Sequence, residues 1–419
     1  MIRYYLFLLS FFVFVQQSVA QSYRTQAFSE DIHSIEVLNN EQWDSYSVMD
    51  LNSADQISID FDLVSEDLLA RLRYKLIYCN ADWTENNSLS HLDYLEGYDD
   101  NLIDDYATSF NTTMSYTHYG LRIPNEDVRP KISGNYVVLI YDEDLGEDNV
   151  LLTACFSVVD RKTSVAPKVS SITDIDANNK HQQVSFDLKY DFVIRDVQND
   201  LKVFVRQNNR LDNERQNIKP THIQPSTLRY EHNRNLIFEA GNEYRRFDIS
   251  SYRTNGMNVA HIDYVRPYYN MYVIPSQVKV KPSYSYDQDQ NGRVVYRNLD
   301  ADNVKVEGDY FYTHFTLQAD DPLPQAVYVN GAFSNNTFSE KYKMMYDDES
   351  REYHLTLLLK QGIYNYQYLT NTDKGFSTET ISGNFYETEN EYAIYVYYRP
   401  SGQRYDSLIG FTRFQSRGK

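Results

Sequence analysis

Apolar and polar residues alternate with a period of two along much of the sequence beyond residue 20, and few stretches show helical spacing. Val184, Phe186, Leu188, Tyr190, Phe192 and Ile194 alternate with Ser185, Asp187, Lys189, Asp191, Val193 and Arg195, which sets the first group on one face of a strand. Leu72, Tyr74, Leu76 and Tyr78 alternate with Arg71, Arg73 and Lys75 in the same way. Residues 136–141 (YVVLIY) form a continuous apolar run suited to a central strand. The 39 tyrosines fit this pattern, because an aromatic ring packs on a pleated sheet while its hydroxyl reaches a polar partner. Short strands separated by polar turns imply sandwich layers and not a βαβ sheet.

The predicted fold is therefore all-β, built of tandem immunoglobulin-like or early-set β-sandwich modules. A chain of 419 residues holds two to three domains at roughly 150 residues each. Strand spacing places the modules at 24–160, 165–280 and 283–410. The first closes with a strand over 151–159, and a polar connector over 161–168 follows. The second is expected to carry strands near 184–196, 201–207, 235–238 and 261–274. An outer-membrane barrel, the competing all-β architecture, fits poorly with continuous buried runs and the polar end Ser416-Arg417-Gly418-Lys419.

Residues 1–20 read as an export signal. Arg3 supplies a positive start, residues 4–15 an apolar run too short for a comfortable span, and Ser18-Val19-Ala20 a cleavage site before Gln21. The mature chain is expected in an extracytoplasmic compartment with no membrane span. The formal charge of −19 on the full sequence disfavours nucleic acid and anionic lipid as partners, since both bind through clustered Lys and Arg.

No H-E-x-x-H, G-x-S-x-G, phosphate-binding glycine loop or Cys/His metal set occurs, so neither an enzyme nor a cofactor is expected. The acidic stretches 99–105 and 142–148 read as solvated loops. Asp287-x-Asp289-x-Asn291-Gly292 resembles the front of a calcium loop, but Asn298 stands where the closing Glu belongs. A hairpin turn at Asn291-Gly292, between Tyr284/Tyr286 and Val294/Tyr296, explains the same residues. Cys79 and Cys155 fall in strands of one module and can bond only from neighbouring strands. Trp83, beside an apolar strand end, is expected in the core and not as a ligand-stacking ring.

Two separated regions carry a family pattern. The first holds YCNADW (78–83), YLEGY (94–98), NLIDDY (101–106), SFNT (109–112), YTHY (116–119), LRIPNEDV (121–128) and SGNY (133–136). The second holds GNF (383–385), TENEY (388–392) and RYDSLIG (404–410). In this order the motifs resemble the plug protein family of the type IX secretion system, a Bacteroidota export machine. One departure is Ala154-Cys155 before Phe156, where the family is expected to carry basic residues. The residues carried over as structural or interaction positions are Cys79, Asn80, Asp82, Trp83, Gly97, Tyr119, Pro124, Glu126, Glu389, Asn390, Tyr392, Arg404, Tyr405 and Asp406. The resemblance implies a periplasmic, non-enzymatic partner of the outer-membrane translocon barrel, peripheral to the outer membrane, that closes the periplasmic mouth of the pore.

A second likeness, in 327–333 (VYVNGAF), 352–359 and 362–368, is to the early-set sandwiches that include glycogen-binding modules. Extracytoplasmic glycan binding is accordingly the alternative function. Pyranose stacking calls for exposed flat aromatics, usually Trp, and both tryptophans, Trp43 and Trp83, lie in the first module. Tyr364, Tyr366 and Tyr368 share one strand face, where a packed core is their expected use.

Overall fold

Strand Gly134–Asp142, which contains the run 136–141, lies between Leu72–Cys79 on one edge and Val150–Val159 on the other, antiparallel to both. Pairing on both edges with both faces covered is what makes its sequence apolar throughout. Leu72, Tyr74, Leu76 and Tyr78 are buried in alternation with half-buried Arg73 and Lys75. A second sheet, in the order Ile32–Asn39, Ile57–Leu63, Thr117–Ile123 and Asp105–Thr108, closes the sandwich. Aromatic pairs fill the space between: Phe61 stacks on Tyr119 at 5.3 Å and Tyr136 on Phe156 at 5.4 Å. The computed structural model describes residues 22–65, 70–279 and 283–416; the export-signal reading of residues 1–20 lies outside them. Among the described residues the fold is all-β, with three α-helical segments of four residues each.

In the middle segment the strand expected over 184–196 runs from His181 to Tyr190. Phe192 and Ile194 leave the ladder yet still pack on the same apolar cluster, so the alternation outlasts the strand. The strand expected at 261–274 is two, Val259–Val265 and Tyr268–Val273, paired antiparallel across a turn at Arg266-Pro267. Proline has no N–H for a ladder, which is why a single strand cannot run through it.

Strand Glu391–Tyr398 crosses the expected module boundary. It pairs with Leu201–Gln207 on one edge and Ser407–Gln415 on the other, inside the segment expected as 165–280. Tyr392, Ile394 and Val396 face the core formed by Val184, Phe186, Leu188 and Phe238. Ala393, Tyr395 and Tyr397 face the opposite way, onto Phe204, Tyr46 and Val159, and so bury the contact with the first module. A strand covered on both faces needs apolar residues along its length, and after the ion-paired Glu391 residues 392–398 read YAIYVYY.

The remaining chain, from Arg245–Asp248 to Gly375–Ser377, forms its own sandwich. Tyr310–Gln318 pairs with Glu352–Lys360 in one sheet, and Gly362–Thr372 pairs with Arg245–Asp248, Val294–Tyr296 and Val327–Asn330 in the other. Tyr364, Tyr366 and Tyr368 are buried in its core, where Phe247 stacks on Tyr364 at 5.1 Å.

Candidate functional site

The two motif regions meet in space. The loop between Glu391–Tyr398 and Ser407–Gln415 carries Arg404, Tyr405 and Asp406 onto the end of strand Leu72–Cys79. The Tyr78 hydroxyl shares its proton between the carbonyl oxygens of Ser133 at 2.9 Å and Asp406 at 2.8 Å, a contact spanning 328 residues. The fully buried Asp406 carboxylate accepts from the Ala81 N–H at 3.0 Å and pairs with Lys202 Nζ at 2.9 Å. Tyr405 sits edge-on to Tyr78 at 5.9 Å. The Arg404 guanidinium donates to the Ser88 carbonyl at 2.8 Å and the Asp93 carboxylate at 3.2 Å. Asn135 completes the seam, accepting from Tyr397 at 2.8 Å and donating to the Asn80 carbonyl at 3.1 Å.

Other motif residues serve nearby turns. Asp82 accepts from the Thr84 N–H at 3.1 Å and hydroxyl at 2.7 Å, holding the turn that puts buried Trp83 at φ 65°. Gly97, at φ 90°, lies so close to the Asp127 carbonyl that a Cβ would sit 1.8 Å from its oxygen, which leaves glycine as the residue that fits. The Tyr119 hydroxyl donates to the Ala70 carbonyl at 2.7 Å, and the Pro124 carbonyl accepts from Gln56 at 3.0 Å. Asn390 donates to the Ala240 carbonyl at 2.7 Å, while Tyr392 donates to Gln182 at 2.8 Å. Glu126 and Glu389 have exposed side chains.

Cys79 and Cys155 are free and buried. Strand Gly134–Asp142 separates them by two inter-strand spacings of about 4.8 Å each, beyond the ~7 Å Cα separation a disulfide spans. Asn291 and Gly292 both adopt positive φ, as the expected turn requires, but no hairpin forms: Val294–Tyr296 pairs with Gly362–Thr372 instead. Asp289 accepts from the backbone N–H groups of Tyr244 and Asn291, and Asp287 pairs with Arg246 at 2.6 Å. Among the described residues no group of three or more His, Cys, Asp or Glu side chains can hold a metal ion.

A buried ionic cluster joins the first sandwich to the last, and sequence reasoning missed it. Asp62 receives Lys360 Nζ at 2.6 Å, His118 Nδ1 at 2.7 Å and the Tyr310 hydroxyl at 2.7 Å. Asp60 receives Lys305 at 3.0 Å and Arg122 at 3.2 Å. Burial alone would raise both carboxyls; Lys360 with His118 for Asp62, and His118 with Arg122 for Asp60, hold them below the usual range instead. Burial would lower His118, but hydrogen bonds to Asp60 and Asp62 outweigh it and raise the imidazole above 6.5. The signal was present as Asp60 and Asp62 alternating with Ile59, Phe61 and Leu63 in a strand whose residues are all buried.

The pH dependence follows with opposite signs. The raised His118 contributes stability that is complete below its unfolded value of about 6.5 and is lost as pH rises through its folded value. The depressed Asp60 and Asp62 contribute above about 3.9 and lose that contribution as pH falls. Melting temperatures of the native chain and His118→Gln across pH 5 to 9 should differ most at the acid end and converge toward alkaline pH. A gap independent of pH would exclude ionisation of His118 as its source.

A cleft of about 180 Å³ opens among the modules, and both tryptophans line it. Trp43 is 46% exposed; Trp83 is buried, and its Nε1 has no hydrogen-bond partner. Along one wall run residues 35–38 of the strand Ile32–Asn39; residues 291–294 and 335–336 supply others.

Fold and joints define an all-β protein of packed sandwiches with secretion-family motifs at a buried seam. Residues 32–160 match the family model described as Type 9 secretion system plug protein 1st domain. That match over the first sandwich supports assigning the chain to the type IX secretion system plug protein family. It is also similar to the crystal structure of a hypothetical protein from Parabacteroides merdae ATCC 43184, at 44% identity and a TM-score of 0.92 over 94% of this chain and 100% of that one. A search of curated proteins finds no match. Among the described residues no helix is long and apolar enough to cross a membrane.

Proposed function

We propose that this chain is the plug of the type IX translocon: a periplasmic, non-enzymatic protein, peripheral to the outer membrane, that closes the periplasmic mouth of the barrel. It is exported by cleavage after Ala20. The observation that carries the reading is the meeting of the family motifs at a buried seam. Arg404, Tyr405 and Asp406 join modules there, as in a rigid stopper, while Asp82, Glu126 and Glu389 remain on the surface for docking. A strongly acidic body, −19 over the full sequence, favours a locally basic rim on its partner. The glycan alternative gains nothing in the last sandwich, because Tyr364, Tyr366 and Tyr368 are in its core.

The test is a crosslink-stabilised pull-down of the tagged chain from outer membranes, with a deletion strain alongside. A very large barrel protein should co-purify. The deletion strain should admit a large, normally excluded antibiotic while cargo secretion largely continues. Absence of the barrel from the pull-down, or unchanged permeability at normal translocon levels, would reject the proposal.

A further inference from the structure

The strand Ile32–Asn39 ends its sheet, pairing only with Ile57–Leu63. Among the described residues the backbone of residues 35–37 makes no hydrogen bond outside that ladder. Successive side chains of a strand point to opposite faces, so a cleft touching four consecutive residues, 35–38, meets the strand edge-on and looks at its N–H and C=O groups. The unpaired donors and acceptors on this short edge, beside the register shift between His33 and Glu36, are matched by another extended backbone. A sugar ring offers no such repeat.

The charge of the walls narrows the partner. Acids outnumber bases 59 to 40 in the chain, yet three arginines and a single acid, Glu36, line this cleft. Arg206 and Arg293 are tied to Glu214 and Glu391, whereas Arg24 is exposed and, among the described residues, has no ion-pair partner. Burial and the neighbouring Asp60 push the Glu36 carboxyl up to about 8, which leaves it mostly uncharged at neutral pH. Trp43 adds an exposed aromatic ring at the rim.

We infer that this cleft binds an extended acidic peptide segment of another protein, which adds a strand to Ile32–Asn39, sets a carboxylate on Arg24 and packs a side chain on Trp43. The inference rests on the cleft alone and stands or falls apart from the pore-closing reading.

The chain's two tryptophans both line the cleft, so their emission reports its occupancy. Random twelve-residue peptides displayed on phage are selected against the full mature chain. Enriched peptides without tryptophan are then synthesised and titrated by fluorescence. Selection should yield alternating sequences with Asp or Glu that shift the emission. Arg24→Glu and Trp43→Ala, both at exposed positions, should each weaken binding about tenfold or more. Methylating alternate backbone nitrogens of the peptide should abolish it, because ladder bonds are lost while side chains are kept. Failure to enrich any peptide, or binding indifferent to Arg24→Glu and to N-methylation, overturns the inference. Cellohexaose or chitohexaose shifting the emission where peptides do not would overturn it in favour of a carbohydrate site.

Discussion

Replacing Asp62 with alanine should weaken the joint between the first and last sandwiches by about 3–5 kcal/mol, the usual consequence of leaving a buried charge without its partner. The side chains of Asp62 and Lys360 are 1% and 4% exposed, so water cannot take over the ammonium that loses its 2.6 Å contact. Lys360 would retain the Lys305 carbonyl at 2.9 Å and the Tyr116 ring at 4.3 Å, neither of which neutralises it. His118 would lose its 2.7 Å partner at the same time. Amide hydrogen exchange in Ile57–Leu63 and Tyr310–Gln318 measures the loss locally, and urea midpoints measure it globally. The double replacement Asp62→Leu with Lys360→Met should recover much of the deficit, since apolar groups of similar volume often match a buried ion pair. Because the pair is buried, added salt should barely alter either result. A loss below ~1 kcal/mol for Asp62→Ala would mean the cluster is hydrated and the joint is held by its aromatic contacts.

Period-two alternation was enough to make the fold class legible, because one pattern dominates and both faces of a sandwich read it alike. In the first sandwich it marked the strands Leu72–Cys79, Gly134–Asp142 and Val150–Val159. It failed where strands travel far. Nothing in EYAIYVYY states that its partner is Leu201–Gln207, where Val203 stands opposite Val396 (396 − 203 = 193 positions apart). The run does state that both faces are covered, without naming the sheet.

The site was legible in part for a related reason. The motifs marked 78–83 and 404–406 as special, and Tyr78, Ala81 and Asp406 do touch, but contact across 325 residues is invisible to spacing. The pairing of Asp62 with Lys360 was harder still. Asp62 alternates with apolar residues and Lys360 closes an apolar run, and a charge in a strand reads as solvent-facing until its counter-ion is placed beside it. Cys79 and Cys155 show the converse: both lie in one sheet, but with Gly134–Asp142 between their strands.

Truncating Trp83 to alanine should be the most damaging single change in the motif region, and truncating Trp43 should scarcely affect stability. Trp83 packs on Cys79, Val137, Leu139 and Cys155 and is 7% exposed, against 46% for Trp43. Removing a buried indole typically costs about 3–5 kcal/mol through lost burial and the cavity left behind, a large share of a domain's stability. The indole N–H has no partner to lose, so the deficit should come from packing, and Trp83→Phe should restore most of it. Trp83 also accepts the Tyr23 N–H at 2.9 Å through its backbone, a bond that either variant keeps. The collapse should therefore spread from the satellite cluster into the seam with Arg404 to Asp406, whose acceptors and donors lie on the same turn. In cells, a marginal seam lowers the folded population, and under the plug reading Trp83→Ala should raise uptake of a large excluded antibiotic toward the level of the deletion strain. Trp43→Ala should stay near the native level in the same assay. Urea midpoints, steady-state amounts and antibiotic uptake measured together decide the matter. If Trp83→Ala is leaky while as stable and abundant as the native chain, Trp83 acts through a direct contact with the barrel and not through the fold.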